Sequence, residues 1–227
     1  MTRRVKAPLF AAIVCAAAIA PLAALAYSYG PVKARDLQLL GHLERETGGV
    51  HDLAAALVYL GDLGSLLILG GVVAAIGLFF GRRREVVAAL VLIAGANVTT
   101  QALKSLLEHV RYKAAEQGWE LPWANSFPSG HTTAAATLAV GLLFVVPARH
   151  RLAAAVVGFL LTAAVGISVM VLSWHYPSDV LGALLVVGAW AFAILAVLRF
   201  REDRVQKETA ADESSRPSRG RWAVSTE

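Results

Sequence analysis

The sequence predicts an all-α, polytopic membrane protein with six transmembrane helices and a polar site at the extracytoplasmic ends of helices three to six. Three observations carry this expectation. Of 227 residues, 57% are hydrophobic and only 16% charged, with a mean hydropathy of +0.59, whereas a soluble domain carries nearer a quarter charged residues. The apolar residues come in uncharged blocks, each able to cross a hydrocarbon core of about 30 Å at about 1.5 Å per helical residue. The residues able to do chemistry gather in two loops that helix parity places on one side.

The first block is Leu9–Ala26, 18 residues behind basic Arg3, Arg4 and Lys6. Basic residues, an apolar run and Ala24-Leu25-Ala26 also fit a secretory signal with its cleavage site. Eighteen apolar residues are long for a signal core, so a retained helix is expected. Cys15, the single cysteine, lies inside it, which excludes an intrachain disulfide. Leu63–Phe80 (18 residues) and Val86–Ala102 (17) form the second and third helices. Thr132–Val146 is the short fourth at 15, a length that a buried or re-entrant helix also fits. Leu152–Leu172 (21) and Val180–Leu198 (19) complete the set. Residues 1–198 are thus expected to form one six-helix domain. From 199 to 227 the chain is polar, rich in Arg, Glu and Ser, and without apolar period. It reads as a disordered, basic cytoplasmic tail suited to anionic lipid.

A net charge of +5 and a pI near 9.7 invite a nucleic-acid reading, but the distribution excludes it. With six spans and both termini cytoplasmic, the inner segments hold Arg3, Arg4, Lys6, Arg82, Arg83, Arg84, Arg149, Arg151 and the seven Lys and Arg after Leu198. The outer loops hold only Lys33, Arg35, Arg45, Lys104, Arg111 and Lys113. Such asymmetry is the positive-inside pattern of a multi-pass cell-membrane protein. Its partner is the bilayer.

Parity puts both remaining polar loops outside. In the first, Lys104 and Arg111 stand seven residues apart, with Asn97 seven before Lys104, on one helix face if helix three continues. Each cation alone has a plainer reading, a side chain snorkelling to the headgroups. The same loop ends in NSFPSGHTT, where Pro128, Ser129 and Gly130 lead into an apolar helix. Free N–H groups at a helix start, a capping Ser and a Gly that admits close approach make an anion cradle, with His131 at its rim. Alone, PSGH is also an ordinary cap. In the second loop, WHYPSD, Pro177 suits the first helical position and Asp179 the first turn, from which its carboxylate reaches back to His175. A carboxylate on one imidazole nitrogen fixes the tautomer and makes the other a better nucleophile or base. Asp179 as a simple helix cap remains compatible with this. Together, two cations, a cradle with one histidine and a carboxylate-backed second histidine can hold a phosphoryl group, attack it and protonate a leaving oxygen.

With these residues in view, the sequence resembles the type 2 phosphatidic acid phosphatase superfamily, in its membrane lipid phosphate phosphatase branch. That signature begins with Lys, six residues, then Arg-Pro; here it runs Lys104 to Arg111, with Tyr112 in place of proline. PSGH is intact as Pro128–His131. The third part, Ser-Arg, five residues, His, three residues, Asp, reads Ser168, Val169, MVLSW, His175, YPS, Asp179. LGDLGS (60–65) is similar to the start of the family's second helix, so the resemblance covers roughly 60–187. It implies that His175 attacks phosphorus and forms a phosphohistidine, oriented by Asp179. It implies that His131 protonates the leaving oxygen and then activates water. Lys104, Arg111, Ser129, the Gly130 amide and, more weakly, Ser168 would hold the phosphoryl oxygens.

The departure is Val169, where the family has an arginine that grips phosphate. Losing one partner of such a contact costs roughly 2–5 kcal/mol, about thirtyfold to several thousandfold in rate. Lys113 and His109 stand in the same loop as substitutes. The implied activity is a lipid phosphate phosphatase acting on phosphatidate, phosphatidylglycerophosphate or polyprenyl diphosphate, with no cofactor and no metal. Two alternatives stand beside it: a lipid phosphotransferase of the same fold, and a non-catalytic lipid-phosphate binder or transporter.

Overall fold

The computed structural model describes residues 2–28, 30–43, 48–107 and 125–215, and among these the elements are all helices. In chain order they are α1 (Arg3–Ser28), α2 (Gly30–Leu43), α3 (Gly49–Val58), a 3₁₀ turn (Tyr59–Gly61), α4 (Leu63–Phe79) and α5 (Arg83–Leu107). Then come α6 (Gly130–Val145), α7 (Arg151–Val171) and α8 (Pro177–Ser215). Each of the six apolar blocks is helical. Four stretches are long and apolar enough to cross a bilayer: α1, α5, α7 with its preceding turn, and α8. The pair α3–α4, bent by 60°, makes a fifth if it counts as one span, and α6 is shorter at 16 residues.

α6 tolerates its shortness because it is the central helix. Leu66 and Val73 of α4, and Val86, Ala89 and Ile93 of α5, close around its Ala134, Leu138 and Val145. Ala136 meets Ala96 of α5 and Val186 and Val187 of α8. A helix without a polar face belongs in the middle of a bundle. Lipid tails are as apolar as leucine, so cohesion here comes from close packing and interhelical hydrogen bonds. At Gly158 of α7 a Cβ would stand 2.7 Å from Ala139 Cβ and 3.2 Å from its Cα, so α6 and α7 touch almost backbone to backbone. Thr100 and Thr133 share a 3.0 Å hydrogen bond between α5 and α6, and Trp190 Nε1 donates to Thr99 Oγ1 at 3.0 Å from α8 to α5. Asn97 donates to Ile93 O at 2.8 Å and to Thr137 Oγ1 at 3.3 Å, a packing role deep in the bundle. Large apolar side chains such as Ile68, Phe79, Leu152 and Phe159 face outward, a surface suited to lipid.

α1 lies along α8. Arg199 Nη1 donates to Arg4 O at 3.1 Å, and Cys15 Sγ stands 3.1 Å from where a Cβ on Gly188 would sit. Two features differ from the sequence expectation. α8 continues unbroken to Ser215, so residues 199–215 are helical rather than disordered, while 216–227 lie outside the described residues. Helices α2 and α3, unforeseen, occupy the connection between the first two apolar blocks and pack on α7 and α8. The chain breaks between α3 and α4 because Asp62 is extended, at φ −73° and ψ 159°, after a 3₁₀ turn. Antiparallel succession then brings the C-termini of α5 and α7 and the N-termini of α6 and α8 to one end of the bundle, together with this break.

Candidate active site

The site grows from two helix starts tied to each other. Ser129 caps α6: its Oγ accepts from Thr132 N at 3.4 Å and from Thr132 Oγ1 at 3.0 Å. With both lone pairs accepting, the hydroxyl's own hydrogen is a donor. Ser129 N donates to Asp179 O at 3.0 Å, which locks the start of α6 onto the first turn of α8. Gly130 opens α6, and a Cβ there would lie 3.8 Å from Lys104 Nζ, so the ammonium reaches the helix start from α5. Asn125 Nδ2 holds the Lys104 carbonyl at 3.0 Å. A positive charge beside a helix N-terminus is an anion-receiving arrangement. Lys104, Ser129 and Gly130 are therefore brought together at the start of α6. Arg111, with Lys113 and His109, lies outside the described residues.

His175 sits on the turn between α7 and α8. Trp174 N and His175 N both donate to Val169 O, at 2.9 and 3.2 Å, with Ser173 in the left-handed region at φ 55°. This closes the last carbonyls of α7 as a C-terminal turn does. Pro177 then starts α8, and Asp179 Oδ2 accepts from Tyr176 N at 2.9 Å and faces His175 Nδ1 at 3.3 Å. Both side chains are fully buried. Asp179 thus contacts both the start of α8 and the His175 ring through the same oxygen. The ring of His131 lies 6.4 Å from that of His175 and 5.6 Å from that of Trp174, between centroids.

Ser168 and Val169 turn elsewhere. The Ser168 hydroxyl donates back along its own helix to Ala164 O at 2.8 Å. The Val169 side chain is fully buried among Ala54 and Val58 of α3 and Val171 and Leu172. At that position the chain builds hydrophobic contact with α3.

Sequence reasoning missed two carboxylates. Asp62, at the α3–α4 break, stands with Oδ1 2.9 Å from His131 Nε2. Its neighbour Gly61 lies against the first turn of α6, where a Cβ would come within 2.7–2.9 Å of His131 Cβ, Cα and O. LGDLGS was the only local signal, and it marks a helix start as readily as a site. Asp36 of α2 is buried and accepts from Ser178 Oγ at 2.5 Å. Burial pushes its carboxyl above the usual range, the Ser178 hydrogen bond opposes this, and the neighbouring Asp179 adds to the rise. KARDLQLL carries no pattern that distinguishes that aspartate from a surface one. Among the described residues, no three His, Cys, Asp or Glu side chains are grouped so that they could hold a metal ion.

Fold and site together define a class: an all-helical, multi-pass membrane protein whose helix ends build an anion-receiving, two-histidine centre. A family model for the PAP2 superfamily matches residues 85–203. The chain belongs to that superfamily. Among solved structures, the chain is similar to the transmembrane PAP2-type phosphatidylglycerolphosphate phosphatase from Bacillus subtilis. The two are 22% identical, with a TM-score of 0.70 over 85% of this chain and 97% of the other. At that identity the likeness speaks for the fold. No curated protein matches the chain.

Proposed function

We propose that the protein hydrolyses lipid phosphomonoesters or diphosphates through a phosphohistidine, using side chains and a helix terminus in place of a metal. The observation that carries this reading is the pairing of His175, backed by buried Asp179, with His131 at 6.4 Å between ring centroids, beside the Lys104–Ser129–Gly130 cradle. Because Asp179 takes the Nδ1 edge, Nε2 of His175 is the attacking atom. The N–P bond forms as the P–O bond breaks, and His131 delivers a proton to the departing oxygen. Neutral His131 then takes a proton from water, whose hydroxide attacks phosphorus and releases His175. Lys104, Arg111, the Ser129 hydroxyl and the Gly130 amide hold the negative oxygens through both steps, with Ser168 a weaker contributor.

A site at the end of an apolar bundle suits a substrate whose tail stays in the bilayer. Phosphatidylglycerophosphate, the substrate class in the Bacillus subtilis protein's name, joins phosphatidate and polyprenyl diphosphate as candidates. On a six-crossing reading, the basic turns Arg82–Arg84 and Arg149–Arg151 favour the cytoplasmic side, which supports an extracytoplasmic site in the cell membrane. The test is phosphate release from a panel of lipid phosphates by purified protein in detergent with EDTA. Turnover of at least one lipid phosphate is expected. Loss of all activity to EDTA with rescue by Mg²⁺ refutes the metal-free mechanism, and no release under any condition refutes the phosphatase.

A further inference from the structure

Asp62 has the position of a helix cap and does not act as one. It is the N-cap residue of α4, with the extended backbone that role requires, yet its side chain makes no capping hydrogen bond. Aspartate is among the best capping residues, and its usual use there is to accept from the free N–H groups of the first turn. Here the carboxylate instead accepts at His131 Nε2, 69 residues along the chain. Gly61 makes the approach possible, since any side chain at that position meets the backbone of His131. Two successive residues are thus fitted to one histidine.

We propose that Asp62 is a positioning residue for His131: it orients the ring, holds it in the protonated form, and assigns proton transfer to Nδ1. The proposal rests on the phosphatase reading above. The two histidine–carboxylate pairs differ in the way two opposite duties need. Asp179 is fully buried and takes the Nδ1 edge of His175, leaving Nε2 to attack. Asp62 is half-exposed and takes the Nε2 edge of His131, so the acid works through Nδ1. A carboxylate in contact with an imidazole favours its cation. A cation is what the first step needs: His131 Nδ1–H passes to the leaving oxygen as the P–O bond breaks, and Nδ1 later takes a proton from the attacking water. Among the described residues, Lys104 faces His131 across Gly130 from α5, and His175 faces it with Asp179 behind. The Lys104 ammonium disfavours an imidazolium, which gives Asp62 something to offset.

The test uses full-length protein in detergent and two phosphate esters. One is a diacylglycerol phosphate, whose alkoxide must be protonated to leave; the other is 4-nitrophenyl phosphate, whose phenolate leaves unaided. Asp62→Asn keeps the cap geometry, since Asn and Asp are equivalent N-caps. It is expected to lower kcat/KM on the lipid by about tenfold to a hundredfold, part of the 10²–10⁴ that a general acid supplies. On the nitrophenyl ester the loss stays within about threefold, because no proton is needed there. The basic limb of the pH profile moves to lower pH, and Asp62→Glu regains part of the loss. Equal losses on both esters with an unmoved pH profile overturn the proposal in favour of a merely structural Asp62. Histidine ¹⁵N signals, with the His131 resonance identified by its loss in His131→Gln, read ring protonation without turnover. His131 is expected to give up its proton at lower pH in Asp62→Asn, and an unchanged titration overturns the proposal by itself. Wild-type protein inactive on both esters sinks the phosphatase reading, whatever the ¹⁵N titration shows of Asp62.

Discussion

Val169→Arg restores the residue that the family's third motif carries, and the structure predicts that it does not restore activity. The Val169 side chain has no exposed surface and packs on Ala54 and Val58 of α3. Exchanging valine for arginine there overfills the contact, at about 1–3 kcal/mol. It also desolvates a guanidinium, at several kcal/mol if the charge finds no partner. Three carboxylates of the site are engaged already: Asp36 with Ser178, Asp62 with His131, and Asp179 with His175 and the Tyr176 amide. Against a total stability of about 5–15 kcal/mol, the substitution consumes a large share unless α3 shifts. If the site lacked only its guanidinium, the gain would be roughly 2–5 kcal/mol, or about thirtyfold and upward in kcat/KM. The assay is phosphate release from a lipid phosphate, normalised to the folded fraction from size-exclusion chromatography, beside Val169→Met as an uncharged control. The expected result is a lower Tm in Val169→Arg than in Val169→Met, with kcat/KM per folded molecule no higher than wild type. A thirtyfold rise would refute the packing argument and identify the wild-type site as crippled.

His175→Ala should abolish acid-labile phosphate labelling of the protein by a phosphorylated substrate, whereas Asp179→Asn should leave labelling slow but detectable, since it removes orientation and charge support without removing the nucleophile; undiminished labelling in His175→Ala places the nucleophile elsewhere. In a Cys15→Ser background, Asp52→Cys in the first turn of α3 and Arg84→Cys in the first turn of α5 should respond oppositely to a membrane-impermeant thiol reagent on intact cells, and labelling of Arg84→Cys alone inverts the proposed orientation. Asp36 is a carboxyl raised by burial, so the folded state holds its proton more tightly than the unfolded chain. Its contribution to stability is greatest below its ordinary value of 3.8 and declines as pH rises through the folded value. Asp36→Asn, which can still accept from Ser178, should therefore raise Tm at neutral pH by more than at pH near 4, and a Tm gain that is the same at both pH values contradicts the burial argument.

What was legible in the sequence depended on how far apart the cooperating residues lie. The spans were readable because lipid imposes one rule on every position of a run, and Leu152–Leu172 obeys it without help from any other segment. His175 and Asp179 were readable because four residues separate them and Pro177 fixes the helix start between them. The helical extension to Ser215 was misjudged for a physical reason: EDRVQKETAADE lacks an apolar stripe and would not hold a helix alone. Attached to α8 it needs no nucleation, and its Ala, Glu, Lys and Gln favour propagation, with Arg204 and Glu208 paired at 3.6 Å. α2 and α3 escaped because 14 and 10 residues of mixed character resemble a loop until α7 and α8 are there to receive them. Asp36 and Asp62 follow from that omission. Each meets its partner only once these helices are laid over the bundle end: Asp36 reaches Ser178 across 142 residues, and Asp62 reaches His131 across 69. The valine at position 169 belongs to the same arrangement. Its side chain packs on α3, the helix that leads into Gly61 and Asp62 and so to His131, so the departure from the family motif falls within the packing that carries those residues.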